Sequence, residues 1–125
     1  MIFFFFFVTL CEGCVYFPTV VHELSHVIGF YHEHNRPDHN EHIEVKYDNI
    51  KLSKLRNFNK AAAGTTNLLG YGYDYASIMH YDNNVFSANG EDTIVTKDPS
   101  IPFGDAWELS PLDIAKTNNL YSCGT

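Results

Sequence analysis

The stretch from Val15 to Gly29 carries apolar side chains at helical spacing. The residues that share one face are Val20, Val21, Leu24, Val27 and Ile28. This spacing predicts a helix of about ten residues with one buried face. Thr19, which follows Pro18, is the expected N-cap of this helix. Gly29 is its expected stop, because glycine leaves the helical conformation easily.

The next part of the chain alternates between loops and short apolar segments. Residues 30–42 are polar, rich in histidine and broken by Pro37, which predicts a loop. A short strand is predicted where apolar and charged residues alternate, at Ile43, Val45 and Tyr47. A short amphipathic helix is predicted by the spacing of Ile50, Leu52, Leu55 and Phe58. Residues 61–75 are small and rich in Gly and Tyr, and we expect a second loop there.

The C-terminal segment opens with the signals of a helix start. Ser110 is a good N-cap, Pro111 suits the first helical position, and Asp113 places an acidic side chain in the first turn. The helix is predicted to run to about Tyr121. The residues expected to face a core are Ile114, Ala115 and Leu120.

Length and charge narrow the class of protein. The 125 residues suit one domain or part of one, because domains usually have about 100–150 residues. The formal net charge is −7 with neutral histidine. Because phosphate-backbone binding requires positive charge, nucleic acid is excluded as the main partner.

One apolar block, residues 1–10, stands apart from the rest and includes five consecutive phenylalanines. It is far shorter than the roughly 20 residues that cross a bilayer, so no membrane span is expected. It is either the apolar centre of a secretory signal or an artefact of translating T-rich non-coding DNA. We therefore expect residues 1–12 to be an apolar stub and residues 13–125 to be the domain.

The chain has three cysteines, Cys11, Cys14 and Cys123. Cys11 and Cys14 have C-x-x-C spacing, but no second such pair completes a four-cysteine zinc site. The alternatives are a local bridge and half-cystines whose partners are absent from this chain.

Metal-binding chemistry is concentrated between His22 and His32. On a helix, His22 and His26 lie one turn apart on one face, so their ring nitrogens can reach one metal ion. Glu23 borders that point without coordinating, which suits a general base acting on zinc-activated water. A sharp turn at Gly29 would bring His32 round as a third ligand. Three nitrogens leave the fourth zinc position for water, the layout of a catalytic site.

Three other histidines, His34, His39 and His42, follow in the same segment. Their spacing matches no ligand pattern. We expect them to be solvated loop residues.

The pattern H-E-x-x-H-x-x-G-x-x-H marks the metzincins, and Glu33 directly after the third histidine is typical of the astacin family of zinc endopeptidases. The chain resembles that family over roughly residues 13–123. The segments that carry the likeness are Gly13 to Tyr16, Gly29 to Asp38, Ser77 to Tyr81, Thr93 to Val95, Asp113 to Ile114 and Asn119 to Cys123.

The resemblance implies a role for each matching residue. One zinc ion would be held by His22, His26 and His32. Glu23 would be general base and later general acid, and Met79 would form the apolar floor beneath the metal. Tyr81 matches a tyrosine whose phenol ligates zinc and swings away to stabilise the tetrahedral intermediate. Structural roles are implied for three further residues: Glu33, which in relatives pairs with the amino terminus of the processed enzyme, and the half-cystines Cys14 and Cys123.

The likeness also defines the expected fold and function. We expect an α+β, zincin-like fold with an active-site helix and a C-terminal subdomain, the N-terminal sheet of the family being largely missing. The implied function is that of a secreted endopeptidase acting on polypeptides, and the alternative is a non-catalytic zinc-binding fragment. Residues 102–110 contain no basic side chain. Since relatives that prefer acidic side chains after the cleaved bond tend to use a basic residue there, that preference is not expected.

Overall fold

Two helices and one small sheet are the main elements of the computed structural model, which describes residue 13, residues 15–62 and residues 64–123. Helix α1 spans Phe17–Val27 and helix α2 spans Pro111–Tyr121. Strands β1, Ile43–Val45, and β2, Ile94–Thr96, pair antiparallel. The short 3-10 helices of the described residues are Glu33–Asn35, His39–Glu41, Tyr47–Asn49 and Leu52–Phe58. Residues 1–12 and Cys14, on which some predictions fall, lie outside the described residues.

Helix α1 begins earlier than predicted. Its N-cap is Tyr16, without a side-chain cap, and Pro18 lies in the first turn. Proline fits there because the first turn of a helix leaves its N–H groups without partners, so Thr19 lies within the helix and does not cap it. The predicted stop is confirmed, because Gly29 has φ +99°, a left-handed conformation that favours glycine.

The apolar core gathers around the two-stranded sheet. Its buried members are Ile43, Ile50, Phe58, Tyr73 and Ile94. The predicted strand ends at Val45, because the backbone of residues 47–49 turns into a 3-10 helix. The predicted amphipathic helix is a 3-10 helix in which Phe58 is buried and Leu52 is 87% exposed. Its apolar face was therefore only partly predicted.

Helix α2 begins with the predicted N-cap. Ser110 Oγ accepts a hydrogen bond from the backbone N–H of Asp113 at 2.9 Å, and the carboxylate of Asp113 accepts from the N–H of Ser110 at 3.1 Å. This reciprocal capping box satisfies two donors that a helix start would leave free. The predicted buried face was wrong for two of its three residues, and the third, Ala115, is half-buried. Ile114 and Leu120 are 48% and 44% exposed, whereas Asp113 and Lys116 are buried.

Two histidines predicted to be solvated are instead buried, His34 at 0% exposure and His39 at 3%. The Nδ1–H of His39 donates to the carbonyl of His34. The Nε2–H of His34 donates to the carbonyl of Asn57 at 3.0 Å. Their partners come from backbone carbonyls, so the loop can bury them without leaving those nitrogens unpaired.

Neither helix has the dimensions of a membrane span. Helices α1 and α2 have 11 residues each, against the about 20 that cross a bilayer. No longer apolar helix occurs in the part of the chain that the structure describes.

Candidate metal centre and active site

Three histidine rings converge at the end of α1. His22 and His26 lie one turn apart on α1, and the chain reverses after Gly29 to bring in His32. Nε2 of His32 lies 3.1 Å from Nε2 of His22 and 3.2 Å from Nε2 of His26. Among the described residues, these three histidines form the group of side chains that could hold one metal ion together.

Backbone carbonyls orient two of the rings. Nδ1 of His22 lies 2.8 Å from the carbonyl oxygen of Ile78, and Nδ1 of His26 lies 2.7 Å from that of Phe30. Because a carbonyl oxygen only accepts, each Nδ1 carries the hydrogen. Each Nε2 therefore presents a lone pair toward the common centre, as a metal ligand must.

The third ring is held in its neutral form. Burial, together with the neighbouring imidazoles of His34, His26 and His22, lowers the pKa of His32 to about 3. Only neutral imidazole binds a metal ion. The surroundings of His32 thus keep it ready for coordination at neutral pH.

The donor set fits a zinc ion. Ligands about 2.0–2.1 Å from a tetrahedral centre lie about 3.3 Å from one another, close to the two Nε2 separations of 3.1 and 3.2 Å. Imidazole nitrogen is a preferred zinc ligand, and a set of three leaves one position open. The residues present therefore suit a catalytic zinc site better than a closed structural one.

Glu23 and Tyr81 lie at the edge of this centre. Glu23 follows His22 on α1 and is partly buried. Burial and then the charge of Glu23 raise the pKa of the Tyr81 phenol. The Tyr81 ring lies 4.5 Å from the His32 ring and is stacked on the His34 ring at 4.0 Å between centroids.

The segment around Met79 contacts the histidines and their loop through its backbone. Met79 is buried, and its carbonyl accepts from the N–H of Glu33 at 2.9 Å. The carboxylate of Asp113 accepts from Ser77 Oγ at 2.7 Å and from the N–H of Ile78 at 2.9 Å. Since the carbonyl of Ile78 orients His22, Asp113 connects α2 to the three histidines through one residue, Ile78.

Sequence reasoning missed several of these supporting residues. Asp113 was assigned only to the helix cap, His34 was expected in solvent, and Lys116 was not singled out. The spacing of Asp113 and Lys116, three apart and so on one helix face, was the available signal. The acceptors of His34 and His22 lie 23 and 56 residues away, beyond any local pattern.

Two recesses adjoin the histidines and share Tyr81 in their walls. One, of about 350 Å³, borders His22, and the other, of about 530 Å³, borders His32. Asp82 and Asp105 line the recess beside His22, and burial, followed by the charge of Asp105, raises the pKa of Asp82. Neither belongs to an ion pair of the described residues. The recess is therefore lined by two carboxyl groups, and the preference for side chains after the cleaved bond stays a prediction.

Structural roles were predicted for Glu33 and for the half-cystines Cys14 and Cys123. The carboxylate of Glu33 is buried and bonded to Arg36, Lys116 and the backbone of Asp74. Its pairing with an amino terminus stays a prediction. Cys123 is exposed and has no disulfide partner among the described residues, and its proposed counterparts and those of Cys14 also stay predictions.

Comparison with known protein families identifies the family of this chain. The peptidase family Astacin matches residues 7–122. The chain belongs to the astacin family, which confirms the resemblance found in the sequence.

Individual relatives cover most of this chain. Zinc metalloproteinase nas-6 of Caenorhabditis elegans is 47% identical over 120 residues, which are 94% of this chain and 35% of that protein. Blastula protease 10 of Paracentrotus lividus is 43% identical over 118 residues, 93% of this chain and 20% of that protein. The chain thus spans about a third or less of these curated relatives.

A solved structure supports the fold. High choriolytic enzyme 1, a hatching enzyme zinc-protease from Oryzias latipes, matches with a TM-score of 0.82 and 40% sequence identity. The match covers 89% of this chain and 55% of that one. The predicted α+β, zincin-like class is thereby confirmed.

Proposed function

We propose that this chain is a zinc-dependent endopeptidase. His22, His26 and His32 would hold one zinc ion, with Met79 beneath it. The observation that carries the proposal is the approach of Nε2 of His32 to within 3.1 and 3.2 Å of the other two rings' Nε2 atoms. Membership of a family whose relatives include zinc metalloproteinases supports it.

The reaction divides between the metal and two side chains. A zinc ion supplies Lewis acidity, which lowers the pKa of water and polarises a carbonyl group. Glu23 takes the proton of the attacking water and delivers it to the nitrogen of the leaving amine. The phenol of Tyr81 donates a hydrogen bond to the carbonyl oxygen as negative charge develops on it. The raised pKa of Tyr81 favours this role, because it keeps the phenol protonated.

The substrate is a polypeptide. The recesses beside His22 and His32 share Tyr81 in their walls, which supports an extended chain that occupies both while its bond faces the centre. We also propose that the protein is secreted and that Cys14 and Cys123 form disulfides there, as the family resemblance implies.

A second candidate is a zinc-binding protein without peptidase activity. The observation that favours it is the exposed apolar surface of α1, where Phe17 is 65% and Leu24 is 51% exposed. Helix α1 carries two of the candidate ligands, and no element of the described residues covers its apolar side. Phe17 and Leu24 share the face of α1 opposite His22 and His26. An uncovered apolar face leaves this helix without packing on one side, which disfavours the precise alignment that catalysis needs.

The test is chelator-sensitive cleavage of an unstructured protein such as casein by the chain loaded with zinc. We expect hydrolysis that is lost with 1,10-phenanthroline and restored by added zinc. Insensitivity to serine-protease inhibitors is the control for contaminants. Stoichiometric zinc binding without hydrolysis would favour the second candidate and contradict the first.

A further inference from the structure

The buried face of α2 carries a lysine with a single carboxylate partner. Lys116 is 5% exposed, and its Nζ lies 3.1 and 3.0 Å from the two carboxylate oxygens of Glu33. The described residues give this ammonium group no other acceptor. A buried charge without its partner is strongly destabilising, so the two side chains depend on each other.

Glu33 fixes the loop that carries His32, its neighbour in sequence. The Glu33 N–H donates to the carbonyl of Met79 at 2.9 Å. Its Oε1 accepts from the N–H of Asp74 at 2.9 Å. One residue therefore ties the third histidine to two segments that border the centre.

Arg36 also reaches Glu33, at 3.1 Å, but its guanidinium is shared. It makes two bonds to the carboxylate of Asp38, at 2.9 and 2.7 Å, and donates to the carbonyls of Tyr71 and Gly72. Lys116 is therefore the cation of the described chain that serves Glu33 alone.

We propose that Lys116 is a positioning residue for the third metal ligand. By compensating the charge of Glu33 at its buried location, it holds the backbone on which His32 is carried. This inference rests on the proposed zinc site. It places a cation from α2, inside the chain, against Glu33, the residue that the family resemblance pairs with an amino terminus.

The experiment compares Lys116→Met with the exposed control Lys97→Met by competition for Zn²⁺ with a chromophoric chelator. Loss of a partner behind a metal ligand typically weakens metal binding by about 10–100-fold, and we expect this for Lys116→Met. Lys97→Met is expected to bind like the unmodified chain. The double variant Glu33→Gln, Lys116→Met should recover most of the affinity, because no unpaired charge remains buried.

Two further measurements distinguish positioning from stability. The Co²⁺ absorption spectrum of Lys116→Met should change in intensity as the third nitrogen is displaced. A lower unfolding midpoint of the metal-free protein, with zinc affinity and the Co²⁺ spectrum unchanged, would overturn the inference.

If Lys116→Met alone does not fold, the double variant decides. A zinc affinity of the double variant within a few-fold of the unmodified chain supports the inference. A zinc affinity as low as that of a variant that lacks His32 overturns it. Absence of zinc binding in the unmodified chain would overturn the proposed function as well, whereas unaltered binding in Lys116→Met would overturn only the role of Lys116.

Discussion

Glu23→Gln is expected to lower kcat for peptide hydrolysis by about two to four orders of magnitude, the usual contribution of a positioned general base. An amide cannot accept the proton of the attacking water. Because Glu23 is not among the three residues that could hold the metal ion together, the variant should keep its zinc affinity. Turnover and zinc affinity are measured on the same preparation.

The matched control for this variant is Glu44→Gln. Glu44 lies on β1 with a side chain that is 58% exposed, so its neutralisation should leave kcat unchanged. A kcat for Glu23→Gln within a few-fold of the unmodified chain would contradict the assigned role. Loss of zinc from Glu23→Gln would instead place the carboxylate among the ligands.

Asp113→Ala is expected to lower the free energy of unfolding by about 3–5 kcal/mol, since it breaks several buried hydrogen bonds to a carboxylate. The donors left without partners are Ser77 Oγ, the N–H of Ile78 and the N–H of Ser110. Zinc affinity should also fall by about tenfold or more, because the carbonyl of Ile78 then no longer fixes the His22 ring.

Urea unfolding of the metal-free protein and zinc competition measure the two effects separately. Asp48→Ala is the control, because Asp48 is exposed on a 3-10 turn and surface changes usually stay within about 0.5 kcal/mol. If Asp113→Ala lost less than about 1 kcal/mol, the value of one ordinary hydrogen bond, and kept its zinc affinity, the connection from α2 to His22 would be refuted.

The sequence was most informative where the signal is local. The period of α1, the turn at Gly29 and the cap at Ser110 each depend on residues within a few positions, and the structure contains all three. The start of α1 was predicted wrongly. A serine or threonine N-cap was favoured over Pro18 in the first turn, yet proline position sets the start there.

Tertiary contacts explain what the pattern could not predict. Strand β2 pairs with β1 across about fifty residues, in the register Ile43 with Thr96, and nothing local encodes that partner. The face of α2 was assigned by hydrophobicity, but its inward residues are Asp113 and Lys116 because they bond to Ile78 and Glu33. Asp113, Lys116 and His34 are buried because distant segments supply their hydrogen-bond partners.

The candidate site likewise combines a local motif with contacts between distant segments. The three histidines follow from a contiguous motif, and their rings lie together. Phe30, four residues away, orients His26, but the residues that orient His22 come from the segment of Ile78 and from α2, which are distant in sequence. A motif identifies the donors of a site, whereas the fold supplies their orientation.

X-ray absorption spectroscopy of the chain with one equivalent of Zn²⁺ shows whether three imidazoles share one zinc ion. We expect one tightly bound ion with three nitrogen scatterers at about 2.0–2.1 Å. In His26→Ala the nitrogen count should fall and binding should weaken, while His42→Ala should leave both unchanged. An unchanged nitrogen count in His26→Ala, or zinc bound only through oxygen, would refute the three-histidine site.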